Sequence, residues 1–287
     1  MAAESLKQQA RAFHSKKRLG QNFLINPDIL AQITRALAVE VGDHVLEIGP
    51  GLGFLTAVLL GSGAKVTAVE LDEECVQILQ DLSLPGLTVI HQDFLQCDLK
   101  TILKEKTKVI GNVPYQITTP ILARLLGEIG EPAPWLKSID SIVLTVQREV
   151  AERFVAKVGE EEYSQISVLV RYFAAADLLF TIAAENFYPV PEVTSAVVRM
   201  VPHAEPPVTC LDHKLLRQVV QAGFQQRRKM LKNNLSFLGL DQKQIMDVFN
   251  KLNFDPQVRA ERLGLEQFAL LADGLKDSKA DNIALSV

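Results

Sequence analysis

The chain has 287 residues, 48% hydrophobic and 22% charged, which fits one large or two modest globular domains and excludes a mostly disordered chain. Its net charge of −4 hides an asymmetry: residues 1–208 carry 18 Lys/Arg against 25 Asp/Glu, whereas residues 209–276 carry 11 against 7. No stretch has the pattern of a secretion signal or a membrane span, and Cys75, Cys97 and Cys210 are too scattered for a disulfide framework, so a cytoplasmic protein without membrane attachment is expected.

In chain order, a basic arm (residues 1–26) leads to Asn26-Pro27, a cap followed by a first-turn proline, and a helix is expected over Pro27–Leu37. Strands are read at His44–Ile48, Lys65–Glu70, Leu87–His91, Lys108–Gly111, Ser141–Gln147, Leu178–Ala183 and Ser195–Val201. Helices interleave at Phe54–Leu60, Glu73–Asp81, Ile121–Leu126 and Ser164–Tyr172. That alternation predicts an α/β fold, a mostly parallel sheet covered by helices. The proline-rich stretch Pro202–Val208 reads as a linker, and amphipathic helices follow at His213–Phe237, Gln242–Leu252 and Leu265–Lys276. The expected organisation is an α/β core over 1–203, a smaller all-helical domain over 204–276 and a flexible tail over 277–287.

The strongest local signal is Glu47-Ile48-Gly49-Pro50-Gly51-Leu52-Gly53, directly after a strand and before a helix. Glycines such as Gly49 and Gly51 let the backbone turn sharply and approach a ligand without a Cβ in the way. The next strand ends in Glu70, placed to accept hydrogen bonds from ribose hydroxyls. The G-x-G-x-G spacing resembles the S-adenosylmethionine loop of Rossmann-like methyltransferases more than the G-x-G-x-x-G loop of dinucleotide enzymes. A glycine-rich turn of no catalytic meaning is the plain alternative. A third strand runs into Asp93, either a reader of an adenine amino group or an ordinary surface-turn acid.

The fourth strand ends in Asn112-Val113-Pro114-Tyr115. The lone pair of an adenine amine is delocalised into the ring, so methylating it calls for acceptors on its two hydrogens. Asn112 offers a side-chain carbonyl, Pro114 a backbone carbonyl of fixed direction, and Tyr115 a flat face for an extruded base. Methyl transfer from a sulfonium is an in-line displacement that positioning and desolvation largely drive. No metal is expected.

Taken in order, Lys17-Arg18-Leu19-Gly20-Gln21-Asn22-Phe23-Leu24, EIGPGLG, VELD (69–72), QDF (92–94), NVPY and Phe187-Tyr188-Pro189-Val190-Pro191-Glu192-Val193-Thr194-Ser195-Ala196-Val197 closely resemble the bacterial small-subunit (16S) ribosomal RNA adenine N6,N6-dimethyltransferases. The likeness runs from about residue 16 to about 270 and includes FQQRRK (224–229) and RAERL (259–263). It implies an S-adenosylmethionine-dependent core, with Asn22 and Leu24 bordering the methionine end of the cofactor, Gly49 under it, and Gly51 in the same loop. It also implies Glu70 on the ribose, Asp93 on the adenine, Asn112 on both cofactor and target amine, and Phe187 closing on the base opposite Tyr115. The implied activity is dimethylation of two adjacent adenosines near the 3′ end of small-subunit RNA, by a monomer acting on an assembling 30S particle. Val113 and Gln116 depart from the family pattern.

Two basic clusters are candidate RNA contacts, Lys16-Lys17-Arg18 and Arg227-Arg228-Lys229 with Lys232; a solvated helix face is the alternative. On one continuous helix Arg227 falls on the apolar stripe of Leu216, Val220, Phe224, Leu231 and Leu235, so it is expected to be structural, paired with an acid or snorkelling. Lys17, Arg18, Arg228, Lys229 and Lys232 are left for phosphates. Rival readings are a relative that dimethylates one large-subunit adenosine, an assembly factor with incidental methylation, a DNA adenine methyltransferase and a nicotinamide dehydrogenase.

Overall fold

The β-branched runs HVLEI and KVTAVE pair as parallel strands, with Val45 opposite Val66 and Ile48 opposite Val69. The structure, a computed structural model, describes residues 3–284, with side chains to residue 276. In chain order the elements are α1 (Ala3–Ala12), β1 (Phe23–Leu24), α2 (Pro27–Ala36), β2 (His44–Ile48), α3 (Phe54–Gly61), β3 (Lys65–Glu70), α4 (Glu73–Asp81), β4 (Leu87–His91), α5 (Leu99–Ile102), β5 (Thr107–Asn112) and α6 (Thr118–Leu126). They continue with β6 (Gly127–Glu128), β7 (Glu131–Pro132), β8 (Ile139–Gln147), α7 (Arg148–Val155), α8 (Gln165–Phe173), β9 (Ala174–Ile182), β10 (Phe187–Tyr188) and β11 (Ser195–Pro202). The last four helices are α9 (His213–Gln225), α10 (Leu231–Asn234), α11 (Gln242–Lys251) and α12 (Leu265–Ala284).

One sheet has the order β4-β3-β2-β5-β8-β11-β9. Strands β2, β3, β4, β5 and β8 are parallel, and β11 turns back antiparallel to β8. The chain works outward from β2 to β4, then returns to the other side of β2 with β5. That reversal leaves a crevice at the carboxyl ends of the strands, where ligands bind in open α/β sheets. Gly49, Glu70 and Asn112 stand at or just past three of those ends. Beneath them, Leu6 and Ala10 of α1, Leu30 and Ile33 of α2, and Val45, Ile110, Val143 and Val197 of the sheet form one core. Each large apolar side chain removed from water there contributes roughly 1.5–3 kcal/mol. Asn26 caps α2 as expected, accepting from the N–H groups of Asp28 and Ile29. Helix α1 occupies part of the segment expected to be a basic arm.

The chain divides into two units, Met1–Leu126 with Ala133–Ala151 and Ala176–Pro202, and Gly127–Pro132 with Glu152–Ala175 and His203–Val287. The second unit thus takes two segments from within residues 1–203. Tyr163 shows why: its fully buried hydroxyl donates to the Leu263 carbonyl at 2.9 Å, and its ring meets Phe224 edge-on. The β6–β7 hairpin supplies Glu128 and Glu131 to Arg217, and Glu131 also pairs with Lys214. Part of the positive charge counted beyond residue 209 is therefore neutralised within its own unit.

The single helix expected over His213–Phe237 is broken. Helix α9 stops at Gln225 and α10 starts at Leu231, because buried Asn234 donates its amide to the carbonyls of Gly223 (2.7 Å) and Gln226 (3.2 Å) at the end of α9. The flexible tail expected at 277–287 falls partly outside the described residues; within them α12 continues to Ala284. No helix among the described residues is long and apolar enough to cross a membrane.

Candidate cofactor and target-base site

Strand β2 delivers the chain into Gly49, Gly51 and Gly53, all at positive φ (65°, 55° and 78°). A Cβ on Gly51 would lie 2.8 Å from the Phe23 ring, whereas one on Gly49 would meet nothing within 4 Å. The Gly51 N–H donates to Glu70 Oε2 at 2.9 Å, and the Leu71 and Asp72 N–H groups donate to Oε1 at 2.8 Å each. Burial pushes the Glu70 carboxyl above its ordinary pKa, with the three N–H bonds opposing. A carboxylate has about four lone-pair sites, so Oε2 keeps one for a hydroxyl donor.

Beneath the loop lies Glu47, 1% exposed, whose Oε2 accepts from the Thr56 hydroxyl at 2.6 Å. Burial pushes its carboxyl up to about 7; the Thr56 bond opposes this and the charge of Glu70 adds to it. A carboxyl whose folded pKa exceeds its unfolded value holds its proton more tightly when folded, so its contribution is full at low pH and is lost as pH climbs to the folded value. Relative to a Glu47→Gln variant, the wild type should lose roughly 3 kcal/mol of stability between about pH 4.5 and 7.5 and no more above. Urea unfolding of both proteins across that range checks this; parallel profiles would refute it.

Above the loop is a cavity of about 270 Å³ lined by Asn22, Leu24, Gly49, Gly51, Glu70, Asp93, Asn112, Pro114 and Tyr115. The structure therefore brings every expected cofactor-side residue to one space. Asp93 is turned by its own cap: Oδ1 accepts from the Leu95 N–H at 2.9 Å and Oδ2 from the Gln96 amide at 3.3 Å. Asn112 donates Nδ2 to the Asn22 carbonyl at 2.8 Å. The Pro114 carbonyl accepts the Ile117 N–H at 3.1 Å and, at the longer distance of 3.5 Å, the Thr118 hydroxyl. The Tyr115 hydroxyl shares a 2.6 Å hydrogen bond with Ser195, a fully buried residue at the start of β11, and burial raises the phenol's pKa.

Phe187 is placed differently from expectation. It is 1% exposed, pairs with Leu24 across β1–β10, and packs in the core instead of lining the cavity. Successive residues of a strand face opposite sides, so in this short pair Phe187 turns inward and Tyr188 stays partly exposed.

In the first unit, Lys17 and Arg18 are exposed, and Arg18 also lines the cavity. In the second, Arg228 and Lys229 are exposed on the turn after α9, and Lys232 is half-buried on α10. Arg227 is held by backbone and not by an acid: its Nη2 donates to the carbonyls of Glu161 and Tyr163. Lys16, grouped by sequence with the basic cluster, pairs with Asp72 and Glu74. Sequence reasoning also missed Gln21 and Ser195; their partners are 51 and 80 residues away, and no local spacing signals them.

A model of the ribosomal RNA adenine dimethylase family matches residues 12–277. The ribosomal RNA small subunit methyltransferase A of Bradyrhizobium diazoefficiens is 41% identical over 275 residues, 94% of this chain and 94% of its own. The protein of the same name from Hahella chejuensis is 38% identical over 272 residues, 93% of this chain and 95% of its own. Two solved structures share the fold. A dimethyladenosine transferase from Plasmodium falciparum aligns with a TM-score of 0.73 at 23% identity, over 88% of this chain and 97% of its own. The 23S rRNA methyltransferase ErmE aligns at 0.69 and 24%, over 89% and 100%. The matched span contains the glycine loop, Glu70, Asp93 and Asn112 together, and the chain belongs to the ribosomal RNA adenine dimethylase family.

Proposed function

We propose that this chain uses S-adenosylmethionine to dimethylate the N6 amines of two adjacent adenosines near the 3′ end of small-subunit (16S) ribosomal RNA, during small-subunit biogenesis. The observation that carries the reading is Asn112, its amide nitrogen held by Asn22, on the wall of the cavity that Gly49, Glu70 and Asp93 also line. When bound, the cofactor supplies an electrophilic methyl group on a sulfonium, with a neutral thioether as leaving group.

Glu70 accepts from the ribose, Asp93 from the adenine amino group, and Asn22 and Leu24 border the methionine end over Gly49 and Gly51. With its donor end taken by Asn22, the Asn112 amide turns its carbonyl to the target amine and accepts one of its hydrogens as the nitrogen pyramidalises; the proton lost after each transfer passes to solvent. The Pro114 carbonyl takes the second hydrogen in place of its long contact from the Thr118 hydroxyl. Tyr115, anchored through Ser195, offers a ring of fixed tilt on which an extruded adenine stacks. Phe187 closes on the base from the side opposite Tyr115 only by leaving the core position it holds here.

Lys17 and Arg18 on the first unit, and Arg228, Lys229 and Lys232 on the second, contact phosphates. Neutralising the last three should weaken RNA binding and reduce the slope of log affinity against log salt by about 2–3. Filter binding at four salt concentrations reads this, and an unchanged slope would reassign them to a solvated face. The setting we infer is the cytoplasm, with a monomer acting on an assembling 30S particle. Mass spectrometry of nucleosides after incubating protein, labelled cofactor and unmethylated small subunits tests the whole reading. Labelled dimethyladenosine in small-subunit RNA is the expected product; label in large-subunit RNA instead would overturn the substrate assignment.

A further inference from the structure

Asp72 stands two residues beyond Glu70, caps α4, and has a side chain with no exposure. A buried carboxylate needs partners for both oxygens, and here both reach to the N-terminal arm. Oδ1 accepts from Lys16 Nζ at 2.5 Å and Oδ2 from Gln21 Nε2 at 2.7 Å. The carbonyl end of the same Gln21 amide accepts the Lys16 backbone N–H at 2.7 Å, closing a ring of three groups. Glu74 adds a second acid to Lys16 at 2.9 Å. Burial by itself would raise the Asp72 pKa; the bonds from Lys16 and Gln21 outweigh it and bring the carboxyl below its usual range.

The residues on either side of Gln21 reach the far side of the pocket. Gly20, at φ 64°, presses on the NVPY turn so closely that an added Cβ would sit 3.2 Å from the Pro114 Cβ. Asn22 gives its carbonyl to the Asn112 amide, and the Phe23 ring lies over Gly51. Residues 16–23 therefore strap across the glycine loop from the end of β3 to the end of β5, fixed at one end by Asp72. An asparagine amide presents a donor at one end and an acceptor at the other, and only the acceptor end assists a target amine.

We infer that Asp72 is a positioning residue for methyl transfer: by gripping Lys16 and Gln21 it fixes the Asn22 carbonyl, and that carbonyl fixes which end of the Asn112 amide faces the target. This rests on the role proposed for Asn112. It also makes Lys16 part of a latch and removes it from the phosphate-binding set.

The test uses the full chain with small subunits and labelled cofactor, comparing wild type, Asp72→Asn and Lys16→Arg. Asp72→Asn removes the charge that pairs with Lys16 and, keeping only one acceptor oxygen, sets an amide donor against either Lys16 or Gln21, so kcat at saturating cofactor should fall by about ten- to a hundredfold. Deuterium exchange of a peptide covering residues 17–23 should quicken by about tenfold while peptides of β2, β3 and β5 keep their protection. Lys16→Arg preserves the charge and should keep kcat within about threefold of wild type. Wild-type turnover, unchanged arm exchange, or a loss of protection spread through the sheet in Asp72→Asn would each overturn the latch alone. Wild-type protein that labels no small-subunit adenosine would defeat the proposed function, and the role of the latch with it.

Discussion

Replacing Asn112 with Ala should lower the single-turnover rate of methyl transfer by about a hundred- to a thousandfold, equivalent to about 3–4 kcal/mol of transition-state stabilisation. The magnitude follows from the setting. An acceptor aimed at hydrogens that become more acidic as the nitrogen attacks gains strength only in the transition state, so its removal appears in rate more than in binding. Quenched-flow measurement with saturating enzyme isolates that step. Asn112→Asp makes the argument sharper. It keeps an acceptor for the target but sets a carboxylate oxygen against the Asn22 carbonyl, which now receives the Nδ2 bond at 2.8 Å. It should therefore recover only part of the lost rate. Full activity in Asn112→Ala would remove Asn112 from the chemistry, and full activity in Asn112→Asp would remove the Asn22 clamp from it.

Replacing Glu70 with Ala should weaken cofactor binding by about ten- to a hundredfold, since a hydrogen bond to a charged acceptor contributes about 1.5–3 kcal/mol. The substitution also orphans three N–H donors, those of Gly51, Leu71 and Asp72, which the carboxylate now satisfies. Each buried unsatisfied donor costs about 1–3 kcal/mol, so the variant should unfold at lower urea than wild type even without cofactor. Calorimetric titration with S-adenosylmethionine and urea denaturation together check both halves. Normal affinity accompanied by lost stability would leave Glu70 as a loop brace and nothing more.

Much of this architecture is legible in the residues themselves. Strands β2, β3 and β4 and helix α4 have the bounds that β-branched runs and turn residues predict. The glycine loop and the acid at Glu70 stand out because positive φ and a buried acceptor admit few residue types. The remainder is hidden for physical reasons. Helix α1 buries only Leu6 and Ala10, a stripe too thin to show in an amphipathic pattern, and α7 (REVAERFV) is half charged. The alanines that open β9 favour helix when considered locally, and pairing in the sheet overrides that preference. The break after Gln225 depends on Asn234 reaching back to carbonyls, and a helical projection cannot register such a contact. Phe187 lies where a recognition aromatic was expected, but strand alternation turns its ring into the core.

The discontinuous make-up of the second unit bears on how such proteins exchange parts. A single crossover between two relatives near residue 203 would join one parent's Tyr163 to the other parent's Leu263 and Phe224, splitting a buried hydrogen bond and an aromatic contact between two ancestries. Hybrids that respect the fold have to carry residues 127–132 and 152–175 along with the C-terminal helices, so the second unit is inherited as an interleaved set of three pieces and not as a detachable tail.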